Sequence, residues 1–284
     1  MGLALREAPP AGFQVVAPPR AELDLADAGS VHRWVGDRPW AAIINAGAWT
    51  AVDAAETHAS EAWAANALGP ALLARAAAER GLPLVQISTD YVFDGGKTSP
   101  YTESDAPNPQ NLYGASKWAG EQALAAANPQ HLILRTSWVV GAHGANFAKT
   151  MLRLAAEREQ LTVVADQFGA PTSAALLADL TAQLLRQYQR EGAAGFPFGT
   201  YHVASAGETT WCDYARFVIG EAFAAGKTLK ARPENVLPIA TADYPTPARR
   251  PANSRLDTRH FRETFGLRLP PWQEGLRHIL QQIL

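Results

Sequence analysis

The sequence predicts an α/β fold, a doubly wound parallel sheet with a smaller C-terminal lobe, and three observations carry that expectation. Short apolar runs alternate with longer stretches whose apolar residues recur near a 3.6-residue period, the pattern of repeated strand, helix, strand crossovers. Several of the short runs end in small or hydroxyl residues, where open sheets of this kind place ligands. After about Val140 the alternation loosens, which marks the start of a lobe outside the regular sheet.

Along the chain, strands are predicted at Gln14 to Ala17, Ala41 to Asn45, Leu84 to Ser88, Leu132 to Thr136, Leu161 to Val164 and Tyr201 to Ala204. Each is short, apolar and bounded by turn-forming residues. Helices are predicted at about Ser30 to Asp37, Ser60 to Arg80, Tyr113 to Ala127, Asn146 to Glu159, Ala174 to Arg190 and Trp211 to Ala225. Alanine is frequent in several of them, which favours helix and permits close packing on a sheet. The run Tyr244 to Pro251, YPTPARRP, reads as a loop because its prolines cannot continue a ladder or a helix.

With 284 residues, 47% hydrophobic and 18% charged, the chain is long enough and apolar enough to bury a substantial core. A formal charge of −2 with dispersed lysines and arginines gives no basic stripe for nucleic acid, so a small-molecule ligand fits better. The single cysteine, Cys212, cannot close an intrachain disulfide and lacks companions at metal-site spacing; it reads as a packed thiol. No apolar run approaches bilayer-spanning length, and the first residues lack a basic segment followed by an apolar core. A cytoplasmic protein without membrane partners is expected.

Chemistry concentrates at two places. Tyr113 and Lys117, in YGASK, stand four apart in a helical pattern, so their side chains share a face one turn from each other. A free phenol titrates near pH 10, and a nearby ammonium is expected to lower it, making a usable proton donor for a carbonyl oxygen. An exposed helical pair would show the same spacing. Upstream, the strand Leu84 to Ser88 runs directly into Thr89, Asp90 and Tyr91. A hydroxyl at such a strand end points into the ligand crevice and can hold a carbonyl in line with Tyr113; taken singly, Thr89 also fits a turn.

STDYVFDG at Ser88 to Gly95, YGASKWAGE at Tyr113 to Glu121, RTSWV at Arg135 to Val139, NFAKTMLRLA at Asn146 to Ala155 and DQFGAPT at Asp166 to Thr172 stand in the order and nearly the spacing of one family. The sequence resembles the dTDP-4-dehydrorhamnose reductases, within the extended short-chain dehydrogenases/reductases, over almost the whole chain. The resemblance implies a Rossmann-like sheet and reduction of the C4 ketone of dTDP-4-dehydro-L-rhamnose, with NADPH or NADH as hydride donor. It implies that Thr89, Tyr113 and Lys117 are catalytic and that Lys117 also holds the nicotinamide ribose. Residues 1–140, with 174–205 returning to them, would form the dinucleotide domain, and 141–173 with 206–284 the substrate lobe.

NAGAWTAV, Asn45 to Val52, follows an apolar strand, and its small residues would let a cofactor approach the backbone. By resemblance, Ala46, Gly47, Ala48 and Thr50 line the dinucleotide, with Asp24 and Leu25 on its adenine side. Val52, Tyr91, Trp138, Asn146 and Phe147 match positions near the sugar nucleotide, and Arg250 offers a guanidinium to its diphosphate. Arg250 reads equally well as a solvated loop arginine, and Trp138 as a core residue. Arg20 follows Pro19, which stands where relatives often carry an aspartate for the ribose 2′-hydroxyl, so NADPH is expected to be preferred over NADH. The family also suggests a homodimer, with Mg2+ at its interface through ligands that the sequence does not locate.

Two features set limits. Asp90 is followed by Tyr91 where related dehydratases carry glutamate, which removes the acid that elimination needs and favours simple reduction. A C4 epimerase would use the same tyrosine and lysine, and a non-catalytic dinucleotide-binding homologue would keep the fold, so both stay open. The chain also begins unlike the family: Gly2 and LALREA look like the end of a glycine-rich turn and its helix, and the strand and turn before them are expected to be missing. Such a chain would be unstable and bind dinucleotide weakly.

Overall fold

The structure is a computed structural model that describes residues 1–7, 9, 12–36 and 38–284. Helix α1 (Gly2–Glu7) and α2 (Ala28–Gly36) precede the first strand, β1 (Ile43–Asn45). The predicted helix end at Asp37 lies outside the described residues. Then follow α3 (Val52–Ala55), α4 (Ala59–Trp63), a π-helical turn at Ala64–Leu68, α5 (Gly69–Glu79), β2 (Leu84–Thr89), α6 (Leu112–Ala127) and β3 (His131–Thr136).

The single helix expected at Ser60 to Arg80 is therefore broken into three pieces, and Pro70 supplies the reason. Its ring nitrogen has no hydrogen to give the carbonyl of Asn66, one turn back, so the ladder widens into a π turn there. Gly120 of α6 accommodates the bulge: a Cβ at that position would run into the Asn66 carbonyl oxygen.

The second half contains β4 (Val139–Val140), α7 (Phe147–Glu157), β5 (Leu161–Val164), β6 (Phe168–Gly169), β7 (Thr172–Ser173), α8 (Ala174–Gly195) and β8 (Gly199–His202). It ends with β9 (Thr209–Thr210), α9 (Trp211–Ala224), β10 (Val236–Ile239), α10 (Arg259–Phe265) and α11 (Trp272–Ile283). Strands β1, β2, β3 and β8 form one parallel sheet in that order, with Asn45 opposite Gln86, Thr89 opposite Thr136 and Arg135 opposite His202. All its crossovers contain helices, as a parallel sheet requires.

One predicted strand is overturned. Gln14 to Ala17 has the composition of a strand but takes no regular secondary structure. A parallel strand exists only in a ladder. This segment instead forms one wall of a cavity of about 710 Å³ whose other wall includes β1, so no ladder joins them. The last strand also begins earlier than expected, at Gly199, because its ladder to β3 starts there.

Alternate residues of the sheet feed two cores. Leu84 and Ile133 pack with Val31, Leu73, Ala74 and Leu124 on one face, and Val85, Leu132 and Leu134 with Leu177, Leu180, Tyr201 and Phe261 on the other. A third cluster joins α7, α9 and α11 through Met151, Tyr214, Val218, Ile219 and Leu276, with the parallel pair β5 and β10 beside it. Cys212 is buried in this cluster as a packed thiol. Helices α10 and α11 carry no strong start signal in sequence; their Phe261, Trp272 and Leu276 bury one face each. Among the described residues no helix is long and apolar enough to cross a membrane.

Candidate active site

Strand β2 delivers Thr89 to the C-terminal edge of the sheet, buried, with its hydroxyl capping the short 3-10 turn Asp90–Val92 by accepting the Tyr91 N–H at 3.1 Å. Helix α6 arrives beside it, capped by Asn111, whose side chain accepts the Gly114 N–H at 2.8 Å. Gly114 has to lack a side chain, since a Cβ there would collide with the Tyr91 carbonyl. That close approach sets the Tyr113 phenol near Thr89 and edge-to-face against Tyr91 at 5.4 Å between ring centroids.

Lys117, one turn on, is buried and donates from Nζ to the carbonyl of Ile87 at 2.7 Å. Burial lowers its pKa to about 8, and the carboxylate of Glu121 works against that fall. Burial pushes the Tyr113 phenol up to about 12, with Thr89 acting in the opposite direction and Asp90 reinforcing the rise. The lowering of Tyr113 by the Lys117 ammonium, expected from the helical spacing, is thus not what the ligand-free geometry produces: desolvation dominates and the ammonium is held by the strand.

Asp90, also buried, accepts the Thr89 hydroxyl at 3.1 Å and is raised to about 6 by desolvation. On the buried side of α6 Glu121 pairs with Arg135 of β3 through two guanidinium nitrogens, at 2.7 and 3.1 Å, and accepts the Ser88 hydroxyl. A buried bidentate pair of this kind contributes register more than net stability.

Most of the residues expected at the dinucleotide gather around one cavity. Gly2, Arg20, Asp24, Leu25, Ala46, Gly47 and Ala48 all line the 710 Å³ cavity, whose size suits a ligand site. Thr50 is exposed beyond it. Asn45 shapes the loop: it donates to Gln86 Oε1 at 2.8 Å and accepts the Gly47 N–H at 3.1 Å. Gly47 passes so close to Leu25 that a Cβ would sit 3.0 Å from its Cδ1. Arg20, largely exposed, stands 3.7 Å from Asp24.

Substrate-side residues divide into two groups. Val52 opens α3, and the following Asp53 pairs with Arg250 at 2.7 Å, which brings the loop of residues 244–251 against the Tyr91 side of the site. Trp138, the only non-glycine residue with positive φ among those described, stacks on Trp211 at 3.7 Å, and Phe147 packs on the same ring at 4.6 Å. The Asn146 side chain is engaged by the protein, donating to the Gly141 carbonyl and capping α7 through the Lys149 N–H.

Asn66 was not singled out in sequence. From the π turn it binds both backbone polar groups of Trp49, at 2.9 and 3.1 Å, and donates to Ser116 of α6 at 3.0 Å, so it ties the cofactor-side loop to the catalytic helix. A lone asparagine in an alanine-rich helix four residues before a proline was the available signal. For Mg2+, no group of three or more His, Cys, Asp or Glu suited to a metal ion occurs among the described residues.

The family model of the RmlD substrate binding domain matches residues 1–284. A dTDP-4-dehydrorhamnose reductase of Sinorhizobium fredii is 42% identical over 284 residues, covering 100% of this chain and 94% of the relative. Its counterpart in Escherichia coli K12 is 49% identical over 241 residues, 85% of this chain and 79% of the relative. Among solved structures, a dTDP-4-dehydrorhamnose reductase of Bacillus anthracis in complex with NADP superposes with a TM-score of 0.89 at 35% identity, covering 99% of this chain and 94% of that one. With the strand-end threonine beside the YGASK helix and the small-residue loop tied to that helix through Asn66, these likenesses agree: the chain belongs to the dTDP-4-dehydrorhamnose reductase family.

Proposed function

We propose that this chain reduces the C4 ketone of dTDP-4-dehydro-L-rhamnose to dTDP-L-rhamnose, taking hydride from NADPH or NADH. The observation that carries this reading is the meeting of Thr89, Tyr113 and Lys117 at the C-terminal edge of β2, with Asn66 joining Ser116 of the same helix to Trp49 on the wall of the 710 Å³ cavity. Ala46, Gly47 and Ala48 would hold the dinucleotide backbone, Asp24 and Leu25 its adenine side, and Arg20 a 2′-phosphate. The cofactor, when bound, supplies the hydride.

The chain's own groups manage the other half of the reaction. Thr89 fixes the carbonyl oxygen at the strand end, and Tyr113 gives that oxygen its proton as charge develops there. Lys117, buried one turn on with Nζ held at the Ile87 carbonyl, is assigned to stabilise the phenolate left behind. Tyr91, Val52, Trp138, Phe147, Asn146 and Arg250 are assigned to the sugar nucleotide. We assign residues 1–140 and 174–205 to dinucleotide binding and 141–173 and 206–284 to the substrate lobe, and take a homodimer as the assembly to be tested by sedimentation.

Purified chain with NADPH and enzymatically generated 4-keto sugar, followed at the nicotinamide absorbance, tests the reading. Stoichiometric oxidation of NADPH with formation of the C4 alcohol is expected, and Tyr113→Phe should lower kcat by about 10²-fold or more with little change in cofactor affinity. Turnover with the cofactor retained in its starting redox state would point to epimerisation instead, and a Tyr113→Phe variant as fast as the parent would remove Tyr113 from the chemistry.

A further inference from the structure

The Asp90 carboxyl is the one buried titratable group against the catalytic hydroxyls that the reduction has not used. It is 3% exposed and follows Thr89 directly. Its Oδ1 lies 3.1 Å from Thr89 Oγ1, while Oδ2 is buried without a well-formed hydrogen bond. Among the described residues no Lys or Arg pairs with it. The groups facing it are the phenols of Tyr91, on its own turn, and Tyr113, from α6, with the Ser254 hydroxyl from the C-terminal segment.

Valence then dictates two hydrogen-bond directions. Thr89 Oγ1 has one hydrogen and two lone pairs, and the Tyr91 N–H takes one lone pair in either case. When Asp90 is ionised it can only accept, so the Thr89 hydrogen points inward to Oδ1. The remaining lone pair is then all that Thr89 offers the crevice, an acceptor and no hydrogen. When Asp90 carries a proton it can donate to that lone pair. The Thr89 hydrogen is then released toward the crevice.

We propose that Asp90 is a positioning residue that sets which way the Thr89 hydroxyl points, its carboxylic acid form holding that hydrogen toward the substrate carbonyl. No covalent step is added, because the proton delivered is still that of Tyr113. The inference rests on the reductase reading for its kinetic consequence and on the hydrogen-bond geometry for its structural one. Burial lifts the Asp90 carboxyl to about 6 and the Ser254 hydroxyl opposes that rise, so the direction of the pair changes within an accessible pH range.

The test uses the full chain. In the parent enzyme kcat should fall as pH rises through the titration of Asp90. Asp90→Asn presents a permanent Nδ2–H donor of the same shape and should remove that limb, raising the ratio of kcat at pH 8 to kcat at pH 5.5 by several-fold. Asp90→Leu, which cannot donate, should lie about tenfold or more below Asp90→Asn in kcat at pH 5.5 with KM changed less than twofold. Ser254→Ala should move the limb to higher pH. A limb unchanged in Asp90→Asn, or Asp90→Leu equal to Asp90→Asn, overturns the proposal; if neither variant folds, an unmoved limb in Ser254→Ala does so. Carbon-13 NMR of the Asp90 carboxyl in the parent chain and in Thr89→Val gives a readout independent of turnover. A midpoint well above ordinary aspartate that shifts when Thr89 is replaced is expected, and an ordinary, unresponsive midpoint overturns the proposal. Absence of turnover in a parent chain that shows the expected titration would instead count against the proposed reaction.

Discussion

Lys117 Nζ lies 2.7 Å from the carbonyl oxygen of Ile87, two residues before Thr89 on the same strand. One hydrogen bond thus fixes the depth of α6 against β2, the strand that carries Thr89. Because the ammonium is buried, removing it both deletes a charge one helical turn from Tyr113 and leaves the Ile87 carbonyl with Gln86 as its remaining side-chain donor. Lys117→Ala is expected to lower kcat by about 10²-fold or more and weaken NADPH binding about tenfold. Lys117→Arg should not rescue it, since a planar fork cannot take the place of a compact ammonium in a closed site. Steady-state kinetics with cofactor titrations checks both, and a Lys117→Ala enzyme within threefold of the parent would remove Lys117 from the mechanism.

The proposed preference for NADPH rests on Arg20, which lines the cavity but is largely exposed and only 3.7 Å from Asp24. Its contact with a 2′-phosphate would be well screened, worth about 1 kcal/mol, or roughly fivefold in affinity. Arg20→Ala is expected to reduce the preference for NADPH over NADH by about that factor while kcat/KM for NADH stays within twofold. Comparison of the two cofactors at two salt concentrations checks it, because a screened contact weakens as salt rises.

Much of this was legible in the sequence, for reasons that differ by residue. Thr89, Tyr113 and Lys117 are placed by local periodicity, a strand end and one helical turn, and the structure does bring them together. Leu84 to Ser88 and Leu161 to Val164 are apolar runs that also find ladders. Gln14 to Ala17 is an equally apolar run without one, and no local pattern distinguishes the two cases. Asn66 was missed because its role depends on contacts 17 and 50 residues away and on a helix that Pro70 distorts. The direction of the Tyr113 shift was misjudged because spacing shows a neighbour but not the depth of burial.

Gly120 offers a packing test of that clamp. A Cβ there would meet the Asn66 main-chain oxygen, which cannot retreat without undoing the π turn that aims the Asn66 amide at Trp49 and Ser116. Gly120→Ala is expected to cost about 1 to 3 kcal/mol, lower Tm by several degrees and weaken NADPH binding through the Trp49 loop. Gly195→Ala is the control. Its nearest neighbour is Glu191 Cβ at 3.6 Å, ordinary contact, so the change should be neutral or slightly stabilising. Equal Tm values for the two variants would mean that α6 can move away from the bulge without cost.

His202 supplies the acid-side prediction. On β8 it is fully buried; its Nδ1 hydrogen-bonds the Tyr101 carbonyl at 3.0 Å, which makes Nδ1 the protonated nitrogen, and the ring stands edge-on to Phe93. Burial, assisted by the Arg135 guanidinium, lowers its pKa to about 3. The unfolded chain therefore takes up a proton near pH 6.5 that the native state refuses until about pH 3, so stability must fall as pH drops between those values. Asp90 acts with the opposite sign: its native pKa is raised, so the stability it contributes is present at low pH and lost as pH rises from about 4 to 6. The two slopes oppose each other over that interval, and the parent alone would understate both. His202→Asn, which keeps an N–H for Tyr101 but does not titrate, separates them. Relative to its own stability at pH 7, the variant is expected to retain about 3 kcal/mol more than the parent by pH 4. Urea unfolding of both proteins at half-unit intervals from pH 7 to pH 4 measures the difference, and parallel curves would show that His202 does not resist protonation in the folded state.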